Sequence, residues 1–125
     1  MHTNDLHSNS VFYILEKEKL KNGRSASAFI NSDPLSVNWI TVRAMNSLLK
    51  TDLAKPIEEI STPLMLIHSE KDNIFPQKYV EKIFNRLNCD KEYILLKDTS
   101  HLVMTNNVSE IEPEISNWLK KMMGY

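Results

Sequence analysis

Residues 63–101 read PLMLIHSEKDNIFPQKYVEKIFNRLNCDKEYILLKDTSH, and the order of apolar and polar segments in this stretch decides the fold. Leu64-Met65-Leu66-Ile67 is a continuous apolar run behind Pro63. It is too short for a helix and lacks polar alternation, as expected of a parallel strand buried on both faces. The polar turn HSEKDNIFP follows, and from Gln77 onward Val80, Ile83, Phe84 and Leu87 recur at i, i+3, i+4 and i+7, one face of an amphipathic helix. After Asn88 to Lys91, the residues Glu92-Tyr93-Ile94-Leu95-Leu96 make a second strand, closed by the polar loop KDTSH. Strand, helix and strand in this order predict a right-handed βαβ unit with parallel strands, so that both following loops open on the same sheet edge. That edge is where α/β proteins place their chemistry.

On the C-terminal side, Ile111, Ile115, Trp118, Leu119 and Met122 form a helical stripe that would cover one sheet face. Pro113 would mark its first turn if Val108 to Glu112 form a separate turn. On the N-terminal side, Asp33-Pro34 reads as an N-cap followed by proline at the first helical position. The stripe Leu35, Trp39, Val42, Met45 and Leu49 extends that helix over about four turns. Thr51 to Ser61 is a connection. Further upstream, Val11 to Leu15 is either a strand before a charged helix closed by Gly23 or part of a helix throughout. Residues 1–10 are polar and aperiodic, a frayed terminus.

Composition removes several function classes. The 125 residues carry 15 Lys plus Arg against 16 Asp plus Glu, a formal charge of −1 that draws the chain to neither nucleic acid nor an anionic membrane. At 42% hydrophobic and 25% charged residues the chain should fold as one ordinary globular domain. No apolar run is long enough to span a bilayer, and the start MHTNDLHSNS lacks the regions of a signal peptide, so the expected location is cytoplasmic. The single Cys89 agrees with a reducing compartment and, in the polar turn NCDK, reads as an inert thiol. Only Gly23 and Gly124 are present, leaving almost no material for phosphate-cradling loops.

Asp72 stands five residues beyond Ile67, and His101 five beyond Leu96. Parallel strands lie about 4.8 Å apart, so side chains leaving both C-terminal ends can meet, and a carboxylate can accept the Nδ1 proton of an imidazole. An imidazole so held is suited to take a proton from a nucleophile and return it to a leaving group. The order, acid and then histidine, is the tail of the order nucleophile, acid, histidine of the α/β-hydrolases.

The stretch TPLMLIHSEKDNIFPQKYVEKIFNRLNCDKEYILLKDTSHLVMTNN resembles the C-terminal part of an α/β-hydrolase of the lysophospholipase, esterase and monoacylglycerol-lipase type. Those proteins carry the acid in an hxGxxD turn and the histidine in a GxxH turn. Here the first turn reads His68-Ser69-Glu70-Lys71-Asp72, with Ser69 where glycine is usual. The second reads Thr99-Ser100-His101, preceded by Lys97-Asp98 and no glycine. The upstream DPLSVNWITVRAMNSLLK resembles the helix that leads out of the lid of this group, so the likeness covers roughly Asp33 to Met122. It implies a partial α/β-hydrolase fold, the last parallel strands with flanking helices and a cap remnant. Residues 1–32 would be a polar N-terminus and cap-like remnant, and 33–125 the hydrolase-like region. Asp72 would be the acid that orients the histidine, and His101 the general base.

A complete member also has a serine in a GxSxG turn and oxyanion donors from an earlier loop, and neither pattern is present. The nearest string, Gly23-Arg24-Ser25-Ala26-Ser27, follows EKEKLKN, which cannot be the buried strand an elbow requires; Ser25 reads as a loop residue. The expected chain is therefore inactive alone. Its partner would be a missing N-terminal hydrolase half or, from a truncated hydrolase, a second copy joined through the bare edge of the Leu64 strand. Val11 to Leu15 folding back would be the other way to cover that edge. Asp98 reads as solvated, His68 as a strand-end packing residue, and Trp39 and Trp118 as core. The histidines show no metal spacing, so neither metal nor cofactor is expected.

Overall fold

The structure, a computed structural model, describes residues 7–8, 18–36 and 40–124. The chain divides into two compact units, Met1–Asp52 and Leu53–Tyr125.

In the first unit, β1 (His7–Ser8) pairs antiparallel with β2 (Ile40–Thr41). Lys19 and Ser25 form an isolated antiparallel bridge around a tight turn in which Gly23, at φ 80°, donates to the Leu20 carbonyl. A positive φ is the conformation that glycine adopts without a Cβ clash. Glu18 to Leu20 is thus an arm of a hairpin, and the helix expected to end at Gly23 is not present over these residues. Val11 to Leu15 lies outside the described residues. Ser25 caps α1 (Ala26–Asn31), its Oγ accepting from the Ala28 amide at 3.1 Å.

The helix expected from Asp33 starts later. Asp33 Oδ1 accepts from the Leu35 amide and its carbonyl from the Ser36 amide, closing a β-turn with Pro34 at the second position. Asp at the first place and Pro at the next also specify a type I turn, so the same dipeptide serves either structure. The cap falls instead on Thr41, whose Oγ1 accepts from Ala44 N at the head of α2 (Val42–Lys50). Leu35 and Leu49 of the anticipated stripe are exposed, and Trp39 lies outside the described residues.

The second unit carries the βαβ motif. The 3₁₀ turn Ile57–Glu59 leads to β3 (Leu64–Ser69), α3 (Gln77–Arg86) and β4 (Lys91–Leu96). The two strands pair in parallel from Leu64↔Lys91 to Ser69↔Leu96, so their C-terminal ends are level. Next come α4 (Val103–Asn106) and α5 (Val108–Met123). Tyr93, the register partner of Leu66, lies against Phe84 of α3 with ring centroids 5.2 Å apart. Met65 and Ile67 point to the other face, where they line a hollow with Ile115 and Trp118 of α5. The helices therefore cover opposite faces of the strand pair, an α/β arrangement.

Helix α5 runs unbroken from Val108, so Val108 to Glu112 is not a separate turn; the separate turn is α4 before it. Pro113 removes one backbone donor, but Pro113 and Ser109 are both exposed and water can serve the freed carbonyl. Gly124 at φ 77° closes the helix in a left-handed cap. Leu87, Val103 and Ile111 are the buried apolar residues of this unit. Leu64 to Ile67 are only half-buried, not buried on both faces as their composition leads one to expect. Among the described residues the sheet has two strands, and β3 has β4 on one side alone.

Candidate active site

Level strand ends bring the two loops after β3 and β4 into contact, and hydrogen bonds join them. Glu70 N donates to Leu96 O at 2.9 Å, Lys71 N to Thr99 O at 3.0 Å, and Asp98 N to Glu70 Oε2 at 3.1 Å. Ser69, one of the most buried residues at 2% exposure, donates its hydroxyl to the Ser100 carbonyl. The residue that stands where the resemblance has glycine thus ties the acid-bearing strand to the residue before His101.

Asp72 is held from both sides of its carboxylate. Oδ1 accepts from the amides of Ile74 and Phe75 at 2.8 and 2.9 Å, an Asx turn that fixes the side chain against its own loop. Oδ2 is left for His101, whose Nδ1 lies 2.9 Å away. Burial by itself pushes the Asp72 carboxyl up. The Phe75 amide, the His101 imidazole and the Ile74 amide together outweigh burial and hold it below its usual range. The group is therefore a carboxylate at neutral pH, able only to accept. His101 Nδ1 must then be the donor, and in the neutral ring the lone pair resides on Nε2.

The His101 side chain is 30% exposed and Asp72 only 5%, so the acid is shielded while the imidazole reaches solvent. Phe75 leans against the His101 ring with centroids 5.8 Å apart. An open hollow of about 470 Å³ beside the pair is lined by Leu66, Val80, Phe75, Leu102 and Met104 as well as by Asp72 and His101. The arrangement joins a fixed carboxylate, an oriented imidazole and an apolar wall.

A family model described as "Serine aminopeptidase, S33" matches residues 13–107. The chain belongs to this family. It is a family of α/β-hydrolases, and the parallel strand pair with flanking helices is a partial form of that fold. No curated protein and no solved structure matches the chain.

Ser25 is the cap of α1, in the other compact unit. Asp98 is 81% exposed and pairs with Lys71 at 2.7 Å. Cys89 is free and half-buried. Among the described residues no three His, Cys, Asp or Glu side chains gather as a metal site, and no helix is long and apolar enough to cross a membrane.

His68, a strand-end packing residue by its sequence position, has polar partners on both ring nitrogens. His68 is 6% exposed and fully engaged: Nδ1 lies 3.0 Å from the Tyr93 hydroxyl, and Nε2 lies 2.9 Å from the Phe75 carbonyl and 3.5 Å from Asp72 Oδ2. The sequence shows only that His68 stands four residues before Asp72; its hydrogen-bond partners are supplied by the fold.

Proposed function

We propose that this chain supplies the acid and the histidine of a serine hydrolase acting on carboxylic esters, lipid esters among them, and that it is inactive alone. The observation that carries the reading is the 2.9 Å contact between His101 Nδ1 and Asp72 Oδ2, with the other carboxylate oxygen already committed to two amides. In this reading Nε2 of His101 takes the proton of a serine hydroxyl as that oxygen attacks an acyl carbon, then delivers it to the leaving group. Asp72 keeps the ring in the correct tautomer and stabilises the imidazolium. The ester class follows from the resemblance to lysophospholipases and esterases. An aminopeptidase, the activity named in the description of the matching family, cleaves peptide bonds by the same acyl transfer.

The 125 residues contain no GxSxG turn, so the serine and its oxyanion donors would come from another segment. Without them the chain lacks the contribution that is usually largest in acyl transfer. The purified chain is expected to hydrolyse no aryl ester and to take up no fluorophosphonate. Stoichiometric labelling, mapped to any of its serines, would overturn the inactive reading.

The second reading is a non-catalytic self-association module. It is favoured by the half-exposed apolar strand β3, which presents a free edge among the described residues. Light scattering separates the two: a dimer at micromolar concentration favours the module, and a monomer that binds a separately expressed nucleophile-bearing hydrolase half favours the first reading.

A further inference from the structure

We propose that His68 is a positioning residue for the Asp72–His101 pair: held as its Nε2–H tautomer between the Tyr93 hydroxyl and the Phe75 carbonyl, it fixes the turn that aims Asp72 Oδ2 at His101. The proposal rests on the acid and base reading of that pair and extends it to a second imidazole.

The tautomer follows from the partners. A backbone carbonyl can only accept, so Nε2, 2.9 Å from Phe75 O, must carry a proton. In the neutral ring Nδ1 is then an acceptor, and the Tyr93 hydroxyl at 3.0 Å is its donor. An ordinary phenol keeps its proton at neutral pH, and burial, with the Glu81 charge after it, pushes that of Tyr93 further up, so the O–H is there to donate. A chain of hydrogen bonds therefore runs from β4 through the end of β3 into the acid loop.

What the chain holds is specific. Phe75 is gripped through both of its backbone polar groups: its carbonyl accepts from His68, and its amide donates to Asp72 Oδ1. With that amide fixed, Oδ1 is fixed, and the carboxylate plane presents Oδ2 to His101. His68 Nε2 is itself 3.5 Å from Oδ2, longer than the 2.9 Å of His101, so the carboxylate oxygen is shared unequally in favour of His101. A leucine at position 68 would fill the space and release the Phe75 carbonyl. A glutamine places an amide N–H near the position of Nε2 and can restore the bond.

Nitrogen-15 and proton NMR of the intact chain test this. In the unmodified protein His68 is expected to show the nitrogen shifts of the Nε2–H tautomer at neutral pH, and His101 a downfield Nδ1 proton bonded to carboxylate. His68→Leu is expected to lose the His101 Nδ1 signal and at least tenfold of the exchange protection of the Phe75 amide, and His68→Gln to recover both. A His68 resonance with the Nδ1–H pattern overturns the proposal without any variant, even if His68→Leu fails to fold. So does a folded His68→Leu protein whose His101 signal is unchanged. Absence of the His101 Nδ1 signal from the unmodified protein would instead overturn the acid and base reading, so the two failures are distinct.

Discussion

Ser69 and Ser100 join the two site loops directly: the hydroxyl of the first, at the buried end of β3, donates to the carbonyl of the second, one residue before His101. A glycine in place of Ser69 would lack this bond, so the departure from the hxGxxD pattern carries its own compensation. Ser69 is not among the residues with positive φ, and its Cβ imposes no strain. Ser69→Ala leaves the Ser100 carbonyl short of a donor and is expected to lower unfolding free energy by about 1–2 kcal/mol. Ser69→Gly should cost about 0.5–1 kcal/mol more through backbone entropy. Urea denaturation of the two variants measures this, and an unchanged midpoint for Ser69→Ala would refute it.

Asp72 predicts an acid limb in the stability profile. Its folded pKa is depressed relative to the unfolded chain, so the stability it contributes is fully present above the unfolded value of about 3.9 and is lost as pH falls through the folded value. Asp72→Asn keeps one oxygen for the Ile74 and Phe75 amides but turns an N–H₂ toward the Nδ1 proton of His101. The variant is expected to lose about 1–3 kcal/mol at pH 7 and to lose less than the unmodified chain as pH falls below about 4. Parallel slopes for the two proteins over that interval would count against the assignment.

The βαβ unit was legible because three periodicities in a row have few alternatives. Leu64 to Ile67 and Glu92 to Leu96 are too short for helices, and the Val80, Ile83, Phe84, Leu87 spacing fits only one face of a helix. Level strand ends then followed from parallel pairing, and with them the meeting of Asp72 and His101. The upstream reading failed where one local signal serves two structures: Asp33-Pro34 closes a turn as readily as it caps a helix. The role of His68 was hidden because its partners, Tyr93 and the Phe75 carbonyl, lie 25 and 7 positions away and are supplied by the fold. Half-burial of β3 could not be read from composition, since an apolar run records what a strand is suited to contact and says nothing of which neighbours are present.

Asp98 occupies the glycine place of the GxxH turn and has φ 55°, the left-handed region. Asp and Asn tolerate this conformation, whereas a β-branched side chain meets its own backbone there. Asp98→Val is expected to lower the melting temperature by several degrees, and Asp98→Asn to leave it within about one degree. Because Asp98 is 81% exposed, the loss of its contact with Lys71 should contribute little to either result. Thermal melts in 0.5 M salt separate the causes: screening would abolish an ion-pair effect and leave the backbone effect of valine intact.

Lys91 closes the end of α3 in place of a glycine cap. Leu87, the residue after the helix, has an extended conformation, so no left-handed residue returns amides to the last carbonyls. The Lys91 ammonium takes that role, 2.9 Å from the Phe84 carbonyl and 2.7 Å from that of Leu87, with its nitrogen 4.9 Å from the centre of the Phe84 ring. A cation at a helix C-terminus is favoured by the helix dipole as well, and together these contacts should be worth about 1 kcal/mol. Lys91→Met keeps the aliphatic stem and removes the charge, so the loss it produces measures the ammonium alone. Phe84 also packs on Tyr93, whose hydroxyl reaches His68, and fraying of this helix end would therefore be transmitted toward the acid loop. The expected outcome is a stability loss of about 1 kcal/mol by urea denaturation, accompanied by faster amide exchange at Arg86 and Leu87. A loss of stability with unchanged exchange at those two amides would place the contribution of Lys91 elsewhere than at the helix end.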